Sequence, residues 1–157
     1  MANAHPQDAA YAAALDSPET FWAHEAKHLS WAVPPKTIIE NTTKTLQSGT
    51  EHQHWKWFPD GEISTSYNCV DRHVEAGNGE RTAIIWDSPV TNTQEKISYA
   101  QLAEEVATLA GVLREEGVKK GDVVLIYMPM IPAALVGVLA TLRLGAIHAV
   151  VFGGFSA

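Results

Sequence analysis

The best candidate for a functional site is a glycine-containing turn near the carboxyl end of the chain. Residues 152–156 read Phe-Gly-Gly-Phe-Ser and directly follow the apolar run Ile147–Val151. Open α/β sheets bind ligands at the carboxyl ends of their strands. Glycine at such a position lets the backbone approach a ligand with no Cβ in between. We therefore take Phe152, Gly153 and Gly154 as candidate binding residues.

Other residue types that could do chemistry give weaker signals. His52 and His54 lack a third Cys, His or carboxylate at ligand spacing, so we expect them to be solvated loop histidines. The Asp-Arg-His run at 71–73 lies on a predicted helix, where consecutive side chains point in different directions. Cys69 is expected to be a small buried residue rather than a nucleophile. We assign no catalytic residue and no metal ligand, and the sequence has no phosphate-loop, dinucleotide-binding or nucleophile-elbow motif.

Two apolar runs predict the strands that position the glycine turn. Val123–Tyr127 and Ile147–Val151 do not alternate with polar residues, which is typical of parallel strands covered on both faces. Between them, Pro132 fits the first turn of a helix and Gly145 fits the left-handed position just after its end. Strand, helix and strand with short connections predict a right-handed parallel unit, so the fold class is α/β.

The helix predicted between these strands, residues 132–144, is apolar on nearly every side. Its only polar residues are Thr141 and Arg143. A helix of this kind must be covered all round, and the preceding residues supply a single covering layer. The sequence ends just after the glycine turn. We therefore expect an N-terminal piece of a larger protein, with an incomplete parallel βαβ subdomain.

Residues 1–66 are predicted to form an N-terminal arm with helices and an aromatic Trp-Lys-Trp-Phe segment. Residues 17–29 predict a helix that begins with an N-cap serine and a proline in the first turn. Residues 36–54 are polar and show no clear period, so we interpret them as a surface excursion. The alternation of Trp55 and Trp57 around a lysine predicts a strand with one buried face.

Residues 67–157 are predicted to form the first part of an α/β domain. Residues 67–76 predict a helix that Gly77 ends in a left-handed conformation. The residues expected to face inward from it are Cys69, Val70, His73 and Val74. Ser98 and Gln101 match a capping box, which predicts the start of a further helix.

Composition excludes several classes of protein. The formal charge of −7 over 157 residues argues against nucleic acid or an anionic membrane surface as the main partner. The single cysteine excludes an intrachain disulfide and fits a reducing compartment. The N-terminus has neither a signal-peptide core nor an arginine-rich transit composition, and the longest uninterrupted apolar helix is too short to cross a bilayer. We expect a cytoplasmic protein.

Five separated blocks of the sequence resemble one family, in the same order along the chain. They are SPETFWAHEAKHLSW, WFPDGEISTSYNCVDRHVE, TAIIWDSPVTNT, KKGDVVLIYMPMIP and LGAIHAVVFGGFSA. These blocks resemble the amino-terminal part of AMP-forming short-chain acyl-CoA synthetases, the acetyl-CoA and propionyl-CoA synthetases of the adenylate-forming superfamily. The resemblance covers nearly the whole chain from about Ser17 onward. Residues 87–93 are more similar to the propionyl-type branch, whereas residues 36–54 depart from the family's usual segment.

The resemblance implies a two-step ligase reaction in the full-length enzyme. A short-chain carboxylate, acetate or propionate, attacks the α-phosphate of ATP bound with Mg²⁺ and gives an acyl-adenylate and pyrophosphate. The thiol of CoA then displaces AMP. The family's phosphate loop, metal-holding acid, ribose-binding carboxylates and mobile C-terminal lysine are not found in this sequence, so the isolated fragment is expected to be inactive.

The resemblance also implies a role for the glycine turn. In this family the loop after the corresponding strand helps to form the surface pocket for the CoA nucleotide, which carries over to Phe152, Gly153 and Gly154. The competing interpretation is a tight turn that only closes the crossover. Two other functions stay open: a non-catalytic interaction module, and an adenylate-forming enzyme with an acceptor other than CoA. The expected partners of the fragment itself are the remainder of its own chain and a second copy of the fragment.

Overall fold

The structure is a computed structural model that describes residues 5–154. It separates into two compact units, Met1–Ile63 and Ser64–Ala157. Phe155 and Ser156, which belong to the predicted glycine turn, lie outside the described residues. The predicted boundary at 66/67, between an N-terminal arm and the first part of an α/β domain, stays a prediction.

The first unit begins with two short helices. Helix α1 covers Pro6–Asp16 and α2 covers Pro18–Glu25, followed by a 3₁₀ turn at Ala26–His28. Pro18 lies in the first turn of α2, as predicted. The hydroxyl of Ser17 occupies the N-cap position but donates to Oγ1 of Thr20 at 2.9 Å, so the helix lacks a side-chain cap.

The rest of the first unit consists of two antiparallel strand pairs. Strand β1 (Trp31–Val33) pairs with β4 (Glu62–Ile63), and β2 (Ile39–Thr45) pairs with β3 (Glu51–Trp57). Residues 36–54, interpreted as a surface excursion, are mostly the β2–β3 hairpin, whose side chains are largely exposed; the regular strand structure was not predicted. Both faces of the hairpin carry polar side chains, and such a strand pair shows no hydrophobic alternation to detect.

The two tryptophans of β3 correct a further prediction. They lie in a strand as expected, but Trp55 is 57% exposed and Trp57 is 50% exposed. No buried face forms. Instead, the Trp57 ring meets the ring of Trp22 edge-on, with centroids 5.5 Å apart.

The second unit begins with a broken helical segment in place of the single helix predicted at 67–76. Helix α3 (Thr65–Cys69) ends at Val70, whose φ of −128° and ψ of −71° are not helical. Helix α4 (Asp71–His73) and a π-helical turn (Val74–Asn78) follow. The break changes which residues face inward: Ser66, Asn68 and Val70 are buried, whereas Cys69 is exposed, contrary to the prediction. Gly77 adopts the left-handed φ of 81° that its position required.

A hairpin and the longest helix come next. Strand β5 (Thr82–Ser88) pairs antiparallel with β6 (Thr93–Ser98), and α5 covers Tyr99–Glu115. The capping box is confirmed, since the Ser98 hydroxyl accepts from the Gln101 amide and the Gln101 side chain accepts from the Ser98 amide. The inner face of α5 supplies three buried residues, Leu102, Val106 and Ala110.

The unit ends in the predicted parallel strand–helix–strand segment. Strand β7 (Val123–Met128) pairs in parallel with β8 (Ile147–Phe152), and α6 (Pro132–Arg143) connects them. Pro132 begins the helix, and Gly145 has a φ of 69°, so both helix signals are confirmed. Helix α6 packs on α5, and the core comprises Val70, Ile97, Leu102, Val106, Ala110, Val136, Leu139 and Ala140.

The β7–β8 pair is covered on one face only within the part of the chain that the structure describes. Ile126 is 6% exposed and faces α6, where it lies 3.5 Å from the Cβ position of Gly137. On the opposite face Val123, Leu125, Tyr127 and Ile147 are each more than half exposed. The cover predicted for the second face of these strands is therefore not among the described residues, as expected for an incomplete βαβ subdomain. Apolar patterning shows that a face requires cover, but it does not say which segment provides the cover.

Candidate functional site

The candidate turn lies where two parallel strands end side by side. In the β7–β8 register Met128 is opposite Phe152, so Gly153 and Gly154 leave the carboxyl edge of the sheet beside the end of β7. The Phe152 side chain is 60% exposed and Met128 is 41% exposed. This is the location at which open α/β sheets bind ligands, and an aromatic ring is available there.

Local packing favours glycine at both positions of the turn. A Cβ on Gly153 would lie 3.3 Å from the carbonyl oxygen of Met128 and 3.4 Å from the nitrogen of Pro129. A Cβ on Gly154 would lie 2.8 Å from Cε1 of Phe152. Neither glycine has a left-handed φ. Close packing of the turn therefore explains the glycines by itself, and their identity alone does not demonstrate a ligand.

An apolar groove lies on the same face of β8 as the turn. It has a volume of about 610 Å³ and is lined by β5, by the start of α6 and by Val150, two residues before Phe152. The indole of Trp86 donates to the carbonyl of Met130 at 3.1 Å, which links β5 to the segment before α6. Leu135, in the first half of α6, is 43% exposed and lines the groove. The sequence analysis did not find this groove, because its walls come from segments that are far apart in the chain.

The residues at 71–73 each have a separate partner. Asp71 accepts two hydrogen bonds from Nη1 of Arg143, at 2.8 and 3.0 Å. Arg72 donates to Oδ1 of Asn68 at 3.2 Å. The ring of His73 lies 4.8 Å from the ring of Tyr99. The structure places these three side chains against different partners and does not bring them together.

A polar cleft beside the Asp71–Arg143 pair contains Tyr67 and Glu75. The Tyr67 hydroxyl donates to Oε2 of Glu75 at 2.6 Å. This hydrogen bond, with a smaller desolvation effect, raises the pKa of Tyr67 above its usual value of 10.0. The Tyr67 phenol is therefore protonated at neutral pH.

The first unit contains a group of possible metal ligands that the sequence analysis missed. His24, Glu25 and His28 have the spacing H-E-x-x-H, and their ligand atoms lie within 4.8 Å of one another. The signal was readable in the sequence. The histidines in β3, His52 and His54, which the sequence analysis considered instead, do not form such a group with a third ligand in the described residues.

Comparisons with known proteins define the class of the chain. The family model for AMP-binding enzymes matches residues 70–157, and the model for the acetyl-coenzyme A synthetase N-terminus matches residues 7–69. The chain belongs to the AMP-binding enzyme family. The resemblance to short-chain acyl-CoA synthetases, inferred from the five sequence blocks, is thereby confirmed.

Individual relatives agree with this class. The mitochondrial acyl-CoA synthetase short-chain family member 3 of Bos taurus is 47% identical over 93% of this chain, and the acetyl-coenzyme A synthetase of Pseudoalteromonas atlantica is 48% identical over the same share. Among solved structures, acetoacetyl-CoA synthetase from Streptomyces lividans matches 92% of the chain with a TM-score of 0.74 at 24% identity, which supports the α/β fold.

The chain spans about a fifth of these proteins: 20% and 22% of the two relatives and 21% of the solved chain. No helix among residues 5–154 is long and apolar enough to span a membrane.

Proposed function

We propose that this chain is the N-terminal portion of an AMP-forming ligase that joins acetate or propionate to CoA, using ATP and Mg²⁺. The observation that carries the proposal is the pair of family matches, which together cover residues 7–157 in the order found in acetyl-CoA synthetases. Acetate and propionate differ by one methylene, and activity of the full-length protein on acetate, propionate and butyrate would decide between them. A cytoplasmic location belongs to the same proposal, although the Bos taurus relative is named mitochondrial.

The part of the reaction that we assign to these residues is binding of the CoA nucleotide. Phe152 is largely exposed at the carboxyl edge of β7–β8. The two glycines after it carry no side chain that would keep a nucleotide away from the backbone. Stacking of a base on an aromatic ring contributes roughly 1–3 kcal/mol in nucleic-acid complexes, and an exposed pocket belongs at the low end of that range.

We assign no residue of this chain to the chemical steps. Without a phosphate loop or a metal-holding acid in its sequence, the isolated chain should catalyse no ATP–pyrophosphate exchange. Exchange above background in protein free of host synthetase would contradict this assignment.

The test of the CoA contact is Phe152→Ala in the full-length enzyme, with the two half-reactions measured separately. Adenylate formation does not use CoA, so ATP–pyrophosphate exchange should stay near the unsubstituted rate. Thioester formation should show a KM for CoA raised about tenfold, which corresponds to about 1.4 kcal/mol of lost binding. Gly154→Val should have a similar effect, because its Cβ would displace the Phe152 ring.

Val90→Ala is the control, since this apolar residue is 94% exposed in the β5–β6 turn, outside the β7–β8 pair. It should change neither half-reaction. If Phe152→Ala lowers both half-reactions together and also lowers thermal stability, the turn is structural and these residues leave the CoA site. The ligase assignment is tested separately, by the activity of the unsubstituted full-length enzyme.

A further inference from the structure

The carboxyl end of α2 brings three potential metal ligands together in the first unit. The nitrogen Nδ1 of His24 lies 3.2 Å from Oε1 of Glu25. The rings of His24 and His28 have centroids 5.8 Å apart and are nearly perpendicular. One ligand atom from each of the three side chains lies within 4.8 Å of the others. No residue of this group belongs to the proposed CoA site.

The backbone under this group is fixed by the fold. Residues four apart lie on one face of a helical segment, and the 3₁₀ turn at Ala26–His28 keeps His28 on the side of His24. Ala26, between them, is 7% exposed. Its carbonyl accepts a hydrogen bond of 2.8 Å from the indole of Trp31. The three ligand side chains are exposed or half-buried. The turn that carries them is held in place by the burial of Ala26 and by the hydrogen bond from Trp31.

The distances suit a small tetrahedral ion. Ligands at 2.0–2.1 Å from zinc lie about 3.3 Å from one another. The His24–Glu25 pair is already at that separation, and a rotamer change of the exposed His28 ring would bring in the third ligand.

Electrostatics act in both directions at this position. The site lies at the carboxyl end of α2, where the helix dipole favours a cation, and the chain has a formal charge of −7. The charge of Lys27, between the ligands in sequence, opposes cation binding.

We propose that His24, Glu25 and His28 bind one divalent transition-metal ion of the zinc or copper class, with water completing the coordination. Imidazole and carboxylate ligands together suit these ions rather than Mg²⁺ or Ca²⁺. The spacing is also that of metallopeptidases, in which the glutamate acts as a base on metal-bound water. Here Oε1 of Glu25 lies 3.2 Å from Nδ1 of His24, and we assign the carboxylate as a ligand.

The test is a titration of Zn²⁺ into the 157-residue chain without a histidine tag, followed by isothermal titration calorimetry. We expect saturation at one ion per chain. The His24→Asn/His28→Asn variant should lose this binding. Glu25→Gln, which keeps both histidines, should weaken it at least about tenfold, since even partners outside the ligand set typically change affinity about 10–100-fold.

His52→Asn/His54→Asn is the matched control, because it also removes two histidines of the same unit, one exposed and one half-buried. It should bind Zn²⁺ like the unsubstituted chain. Binding that survives in the His24/His28 variant, binding that disappears in the His52/His54 variant, or no saturable binding to the unsubstituted chain would each overturn the proposal. If the Glu25→Gln variant bound Zn²⁺ with unchanged affinity, the assignment of the carboxylate as a ligand would be overturned. Circular dichroism of each variant verifies that the helices are intact.

Discussion

The strand pairs β2–β3 and β7–β8 both expose many side chains, but for opposite reasons. The β2–β3 hairpin is covered with polar groups that interact across the strands. Nζ of Lys56 lies 2.8 Å from Oε1 of Glu40, and the Gln53 amide donates to Oγ1 of Thr43 at 3.2 Å. The outer face of β7–β8 consists instead of apolar side chains with no covering layer in the described residues.

The difference shows that exposure has to be read together with chemistry. Water satisfies the polar groups of the hairpin, so these groups require no protein partner, although Trp55 and Trp57 also expose aromatic area there. Exposed apolar area costs about 25 cal/mol per Å² relative to burial, so the face of β7–β8 favours association. A large apolar patch on a soluble chain normally marks an interface. Three experiments sharpen this contrast.

The largest effect is expected inside the β7–β8 pair, where Ile126 and Leu125 are neighbours with opposite environments. Ile126 is 6% exposed against α6, whereas Leu125 is 66% exposed on the outer face. Ile126→Ala should lower the free energy of unfolding by about 2–3 kcal/mol, at the low end for a buried isoleucine because the sheet is covered on one face only. Leu125→Ala should cost less than about 0.5 kcal/mol. Hydrogen exchange of the β7 and β8 amides measures the loss of unfolding free energy in both variants. Equal losses would mean that the two faces of the strand pair do not differ in burial.

A smaller effect concerns association through the outer face. We expect the chain to dimerise or aggregate at micromolar concentration. The double variant Leu125→Lys/Ile147→Glu, which makes this face polar, should shift the association constant toward the monomer by at least about tenfold, or 1.4 kcal/mol. Val90→Lys is the control, because Val90 is 94% exposed in the β5–β6 turn and isolated from that face. Light scattering that shows a compact monomer of the unsubstituted chain would contradict the prediction.

The smallest effect is expected at the base of the β2–β3 hairpin, which depends on hydrogen bonds rather than burial. The Asp60 carboxylate accepts from the amides of Thr37 and Lys36, at 3.1 Å each. The hydrogen bond from the Thr37 amide is the largest effect and outweighs the desolvation of the carboxyl. With a smaller contribution from the Lys36 amide, it holds the pKa of Asp60 below its usual value of 3.8. A lowered pKa means that the ionised form stabilises the fold above that value, and that the stabilisation is lost as pH falls through the folded pKa.

Amide chemical shifts measured between pH 6 and about pH 2 would show this transition. The amides of Lys36 and Thr37 should move together below the usual carboxyl pKa of 3.8. Asp60→Asn keeps an oxygen acceptor but does not titrate, so its amides should show no such transition. A transition that persists in this variant would assign the effect to another group.

The sequence by itself determined the features that depend on neighbouring residues. Pro132 and Gly145 mark the two ends of α6, and Ser98 with Gln101 begins α5, because the backbone conformations of these residues are decided within one turn. The family was also readable, since five blocks in order are specific without any contact information. The H-E-x-x-H spacing at His24 was equally local and was overlooked.

Only the tertiary structure decided which faces are covered. The exposure of Cys69 accompanies a helix break at Val70, and the apolar groove forms where β5, the start of α6 and β8 come together. The bare face of β7–β8 has the same origin, since an apolar strand indicates that cover is required but not where the covering segment lies. Burial is a property of segments far apart in the chain, and the order of residues within one segment does not encode it.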